Sequence, residues 1–130
     1  MNDDRSVTIQ IGGMDYEMVL TTRATKEIAA RYGGLEKLGD ELLKAENFET
    51  AIDEIVWLIT LLVNQGILRY NLKNRDKPKV LITGEEVELL TTPAEMGSYK
   101  DAILAAMVAG SARHIQSEED PNQTKNAVTG

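Results

Sequence analysis

The stretch AIDEIVWLITLLVNQGILRYN, residues 51–71, decides the fold. Ile52, Ile55, Val56, Ile59, Leu62, Val63, Ile67 and Tyr70 recur at the spacing of a helical face, and Asn47 or Thr50 offers a polar cap ahead of them. Trp57, Leu58 and Leu61 fill much of the remaining circumference, so this helix is expected to be covered on several sides, with Trp57 in the core. Gly66 reads as a C-cap in isolation. Apolar spacing persists past it, however, which favours a continuous helix to about Asn71, bent at the glycine.

On the N-terminal side, Val7, Ile9 and Ile11 alternate with polar residues, Gly12-Gly13-Met14-Asp15 supplies turn chemistry, and Tyr16, Met18 and Leu20 alternate again. This predicts a β-hairpin over residues 7–20. Two strands alone are marginal in water, so the hairpin needs a helical body beneath it. Thr21 and Thr22 then offer a cap, Ala24, Ile28, Ala29 and Tyr32 keep helical spacing, and Gly33-Gly34 stops the helix. Leu35, Leu38, Leu42 and Leu43 predict a second, shorter amphipathic helix, weakened by Gly39.

On the C-terminal side, Lys73–Pro78 is a polar break, and Val80–Ile82 suggests a brief extended piece. Thr83-Gly84-Glu85-Glu86 has the form of a capping box, and Thr92-Pro93-Ala94-Glu95 repeats it with proline at the first helical position. The helix that follows is expected from Tyr99 to about His114, with Met96-Gly97-Ser98 delaying its start by a turn. The fold class is thus mainly α with an N-terminal β-hairpin, an α+β domain over residues 1–116, followed by a flexible acidic tail over 117–130.

Composition narrows the function. The chain has 130 residues, a length suited to one modest core. It contains no cysteine, which removes disulfides and thiolate metal sites. A formal net charge of −7 repels nucleic-acid backbones. The acidic start MNDDRSVTIQ does not read as a secretory signal, and the apolar stretch Val56–Val63 is shorter than the ~20 residues of a membrane span. The expectation is a cytoplasmic protein that binds neither membrane nor nucleic acid.

No catalytic, cofactor-binding or metal constellation emerges. The single histidine, His114, follows Arg113 near a helix end, where a cation suits the dipole. Glu118-Glu119-Asp120 lacks the alternating ligands and central glycine of a calcium loop, and neither glycine pair is framed as a phosphate loop. The final helix is more informative. Small residues allow it to pack closely on the central helix, yet Met96, Ile103, Ala106, Met107 and Gly110 are also candidates for a partner-binding surface, since methionine adapts to either role. Both readings stand at this point.

Three segments carry a resemblance: GGMDYEMVLTTRATKEIAARYGG, EIVWLITLLVNQGILRYN, and ITGEEVELLTTPAEMGSYKDAILAAM with its ARHIQSEED end. Together they resemble the tail assembly chaperones of long-tailed bacteriophages and prophages of Gram-positive bacteria, over nearly the whole chain. The resemblance implies a non-enzyme that binds and solubilises the tail tape-measure protein, helps recruit the tail-tube protein, and is not retained in the virion. It also implies a host-cytoplasmic location and, in many members, a longer frameshifted product. A homo-oligomer is open. The alternatives are a structural protein of the tail tube, which would need long strands, and an acidic inhibitor that mimics DNA.

Overall fold

The computed structural model describes residues 6–44 and 48–118, with the side chains of 39, 42–44, 48–50 and 112–118 left aside. Strands β1 (Ser6–Ile11) and β2 (Met14–Val19) pair antiparallel in the register Ile11↔Met14, Ile9↔Tyr16 and Val7↔Met18. The turn is the two-residue Gly12-Gly13, with φ of 60° and 84°, a pair of left-handed conformations that matches the twist of the flanking strands. Five helices follow among the described residues: α1 (Thr22–Tyr32), α2 (Leu35–Lys44), α3 (Phe48–Lys73), α4 (Gly84–Leu90) and α5 (Met96–Glu118).

Local chemistry sets most of the boundaries. The Thr21 hydroxyl accepts from the Ala24 N–H at 3.0 Å and starts α1; Gly33 ends it at φ 91°, its N–H reaching the Ala29 carbonyl at 2.7 Å. At α4 the capping box is complete: Glu86 N–H donates to the Thr83 hydroxyl at 3.1 Å, and Thr83 N–H donates to the Glu86 carboxylate at 2.9 Å. Before α5, the Glu95 carboxylate accepts from Thr92 N–H at 2.7 Å, and Pro93–Glu95 forms a single 3-10 turn. That turn runs directly into α5 at Met96, so no delay occurs. The helix therefore starts three residues ahead of Tyr99 and continues beyond His114 to Glu118, past the expected domain limit at 116. Residues 119–130, where most of the predicted tail falls, lie outside the described residues.

Helix α3 organises the domain, packing against β2, α4 and α5, while β1 lies against α5. Leu58, Ile59, Leu62 and Val63 of α3, Met18 of β2, Ile28 of α1, Val87 of α4 and Ile103 of α5 are fully buried together. Over Ala51–Lys73 the helix is long and apolar enough to cross a membrane by length and composition, beyond what the Val56–Val63 stretch implied. A core helix meets the same test, and α3 uses its apolarity on the hairpin and its helical neighbours.

Two glycines let backbones approach. Gly66 neither caps α3 nor ends it: a Cβ there would stand 2.6 Å from the carbonyl oxygen of Glu17 in β2. Gly110 plays the same part on α5, where a Cβ would stand 2.7 Å from Cβ of Leu20. On the other strand, the buried Tyr99 hydroxyl donates to the Gln10 carbonyl at 2.6 Å. Helices therefore contact the backbone of both strands, which limits the open edges a two-stranded sheet would otherwise present.

The segment between α3 and α4 forms no regular element, yet it is tied down. Asn71 donates to the Lys79 carbonyl at 3.0 Å and accepts from its N–H at 2.8 Å; Asn64 does the same for Ile82, both at 2.9 Å. Residues 64 and 71 are one heptad apart, a rise of about 10.5 Å, and three extended steps from 79 to 82 cover about 9–10 Å. The match lets one helix face hold the strap at both ends. The piece expected to be extended, Val80–Ile82, forms no strand, and side-chain amides hold it.

Replacing Gly66 by Ala is expected to destabilise the domain by about 1–3 kcal/mol in urea unfolding, although alanine is the better helix former, because the methyl group meets a backbone oxygen that cannot rotate away.

Candidate functional site

Of the five proposed partner-binding positions, four are buried and Gly110 is partly exposed. Ile103 and Ala106 are fully buried, Met96 and Met107 are 6% and 8% exposed, and Gly110 abuts Leu20. They are the seam between α5, the hairpin and α3. Their apolarity and small size serve packing, the core alternative raised by the sequence, and the corrected candidate surface lies elsewhere.

Several large apolar side chains are left in water, among them Met14 at the hairpin turn, Val80 in the strap, and Leu89 and Leu90 of α4. A groove of 740 Å³ runs between β2, the C-terminal half of α3 and the strap, lined by Met14, Tyr16, Ile67, Tyr70 and Val80 with Asp15, Glu17 and Lys79. Val80 is 87% exposed and Met14 62%. The Lys79 ammonium sits 4.3 Å from the centre of the Tyr70 ring. At the turn itself, Leu90 of α4 lies over Gly12, where an added Cβ would stand 3.3 Å from it, while remaining half-exposed, and the neighbouring Leu89 is 76% exposed. Nothing in the periodicity of the chain marks these residues. Val80 lies in a segment without regular structure, and α4 is too short for a pattern to show which leucine faces inward.

A second, polar cluster joins α1 to α3. The Arg31 guanidinium donates twice to the Glu54 carboxylate, at 3.2 Å each, and lies 4.3 Å from the centre of the Trp57 ring. The Tyr32 hydroxyl donates to the same carboxylate, and its ring meets Trp57 edge-on at 6.1 Å. Trp57 is thus half-buried at the surface, not within the core as its place on the central helix suggested. The Arg31 guanidinium covers the exposed ring. Burial pushes the Tyr32 hydroxyl above its ordinary pKa, and the hydrogen bond to Glu54 adds to that. For Glu54, burial works upward, but the bonds from Tyr32 and Arg31 outweigh it and hold the carboxyl below its ordinary value near 4.5.

This second cluster is closed on itself, every charged group having a partner within it, and it ties α1 to α3. Among the described residues no group of three or more His, Cys, Asp or Glu is placed to hold a metal ion. The side chain of His114 lies outside the described residues. Gln65, buried in α3, accepts a hydrogen bond from the Thr21 hydroxyl and so links the start of α1 to the core.

With this geometry in view, the chain was compared with known protein families, curated proteins and solved structures. It matches none of them.

The Arg31–Glu54 pair sets an acid limit. A lowered carboxyl pKa stabilises the fold above the ordinary value, and that contribution is lost as pH falls below it and through the lowered one. The stability gap between the wild type and Glu54→Gln is therefore expected to be about 1 kcal/mol near neutrality and to shrink as pH falls to about 3, read from urea melts at a series of pH values.

Proposed function

We propose that this chain is a tail assembly chaperone of a long-tailed bacteriophage or prophage. In this reading it is a non-catalytic protein that covers apolar helices of the tape-measure protein in the host cytoplasm, helps bring tail-tube subunits to them, and leaves before the particle is complete. The observation that carries the reading is the apolar surface around the hairpin turn, where Met14, Val80, Leu89 and Leu90 stay exposed although the domain has a filled core of its own. Exposed aliphatic clusters of this kind are docking surfaces more often than accidents.

Two further features support it. The hairpin and helical body resemble the layout implied by the sequence segments, and the net charge of −7 would keep a complex with an apolar client in solution. A long helical client offers many equivalent stretches, so modest affinity at each suffices when several copies bind side by side.

Coexpression with the neighbouring long tail gene tests this directly. The tape-measure product is expected to become soluble and to copurify with this chain; an insoluble product with no copurification would overturn the reading. Leu89→Asp together with Val80→Asp should abolish copurification while leaving unfolding within about 0.5 kcal/mol of wild type. Met107→Asp, by contrast, should cost several kcal/mol and collapse the domain, because it buries a carboxylate in the α5–hairpin seam.

A further inference from the structure

We propose that the face formed by the hairpin turn, the strap and α4 takes a lysine- or arginine-bearing amphipathic helix of its partner. The apolar side chains of that helix would lie against Val80, Leu89 and Leu90, and its cations against Glu85, Glu88 and Asp15. The inference rests on reading this face as the docking surface and adds the chemistry of what docks.

Charge carries the argument. From Val80 through Tyr99 the chain holds four carboxylates, Glu85, Glu86, Glu88 and Glu95, and no lysine, arginine or histidine. Glu86 and Glu95 are engaged by the backbone N–H groups of Thr83 and Thr92. Glu85 and Glu88 are exposed and form no ion pair among the described residues, and the same holds for Asp15 across the turn. Lys79, which lines the groove, rests over the Tyr70 ring. Arg69 and Lys73 line a smaller groove that shares Glu17 and Tyr70 with the larger one, and neither residue lies on α4.

Geometry selects the shape. Glu85, Glu88 and Leu89 are spaced i, i+3 and i+4 on α4 and share one exposed face. A partner helix that sets an aliphatic residue beside Leu89 carries its neighbouring residues, three or four positions away, over these carboxylates. A neutral helix there would strip water from the carboxylates without replacing it. An acidic helix, or an anionic lipid surface, would be repelled.

The test uses two dye-labelled helical peptides of equal length, one built of leucine and lysine, the other of leucine and glutamate, titrated with the whole chain by fluorescence anisotropy. The leucine–lysine peptide is expected to bind at least about tenfold more tightly, with affinity falling as salt rises. Glu85→Lys with Glu88→Lys should reverse the preference. Glu36→Lys with Glu41→Lys on α2 changes net charge equally and should leave it in place. Leu89→Ser should weaken binding of the leucine–lysine peptide without altering the melting temperature.

Equal loss from the α2 variant would show attraction to net charge alone and overturn the proposal. So would equal binding of both peptides, binding indifferent to Leu89→Ser, or a Leu89-dependent self-association in sedimentation that excludes peptide. Peptide binding combined with failed copurification of the tape-measure product would instead leave the site standing and remove the chaperone function.

Discussion

The close approach of β2 to α3 at Gly66 is the constraint on which the rest of the structure depends. A helix and a strand normally meet through side chains, at a distance those side chains set. Here the Glu17 carbonyl occupies the space a Cβ of residue 66 would take, and the strand backbone lies directly against the helix. That contact brings Met18 into the core beside α3, and with it the register-paired β1 onto α5, where Tyr99 and Gly110 receive the hairpin. With the hairpin seated this deeply, α5 has no free face along Ile103, Ala106 and Met107. The apolar surface available to another molecule is displaced to the hairpin turn.

The strap and α4 are consequences of the same helix. Asn64 and Asn71 spend both ends of their amides on backbone groups of residues 79–82, which satisfies an otherwise unpaired chain segment without a sheet. This anchoring leaves Val80 pointing into water at the groove edge while its neighbours are held. It also delivers Thr83 to a position from which α4 can start, with Val87 as its buried anchor and Leu89 and Leu90 left outside. A seven-residue helix with one buried residue has little stability of its own, so its capping box and its contact over Gly12 matter more than propensity. The outward face of α4 is set by that single anchor.

Function follows from the division between a filled interior and a particular exterior. The interior is ordinary: aliphatic side chains, one buried glutamine satisfied by a threonine, and a surface tie of Arg31, Glu54, Tyr32 and Trp57 that locks α1 to α3. The exterior at the hairpin turn is not ordinary, because leucine, valine and methionine stand exposed beside carboxylates with few cations between them. In the proposed reading, this surface covers apolar helices that also carry positive charge. That reading asks for no catalytic group, and the charged cluster between α1 and α3 is occupied by its own partners.

Much of the architecture was legible in the chain itself. The alternation of residues 7–20, the glycine pairs, the threonine-led caps and the long apolar period of residues 51–71 each carry local physics that does not wait for tertiary contacts, and the hairpin and the helices follow from them. The candidate site was not legible. Periodicity identifies which residues of a helix are apolar but not which neighbour covers them, so Met107 and Leu89 look alike until the hairpin is in place. Trp57, central to the strongest helix, is only partly buried, because its cover comes from Tyr32 and Arg31 of α1 and not from the core. The chain determined the elements through backbone chemistry within a few residues; the tertiary structure alone decided which apolar side chains remain in water, because that depends on a glycine-permitted contact between residues 17 and 66.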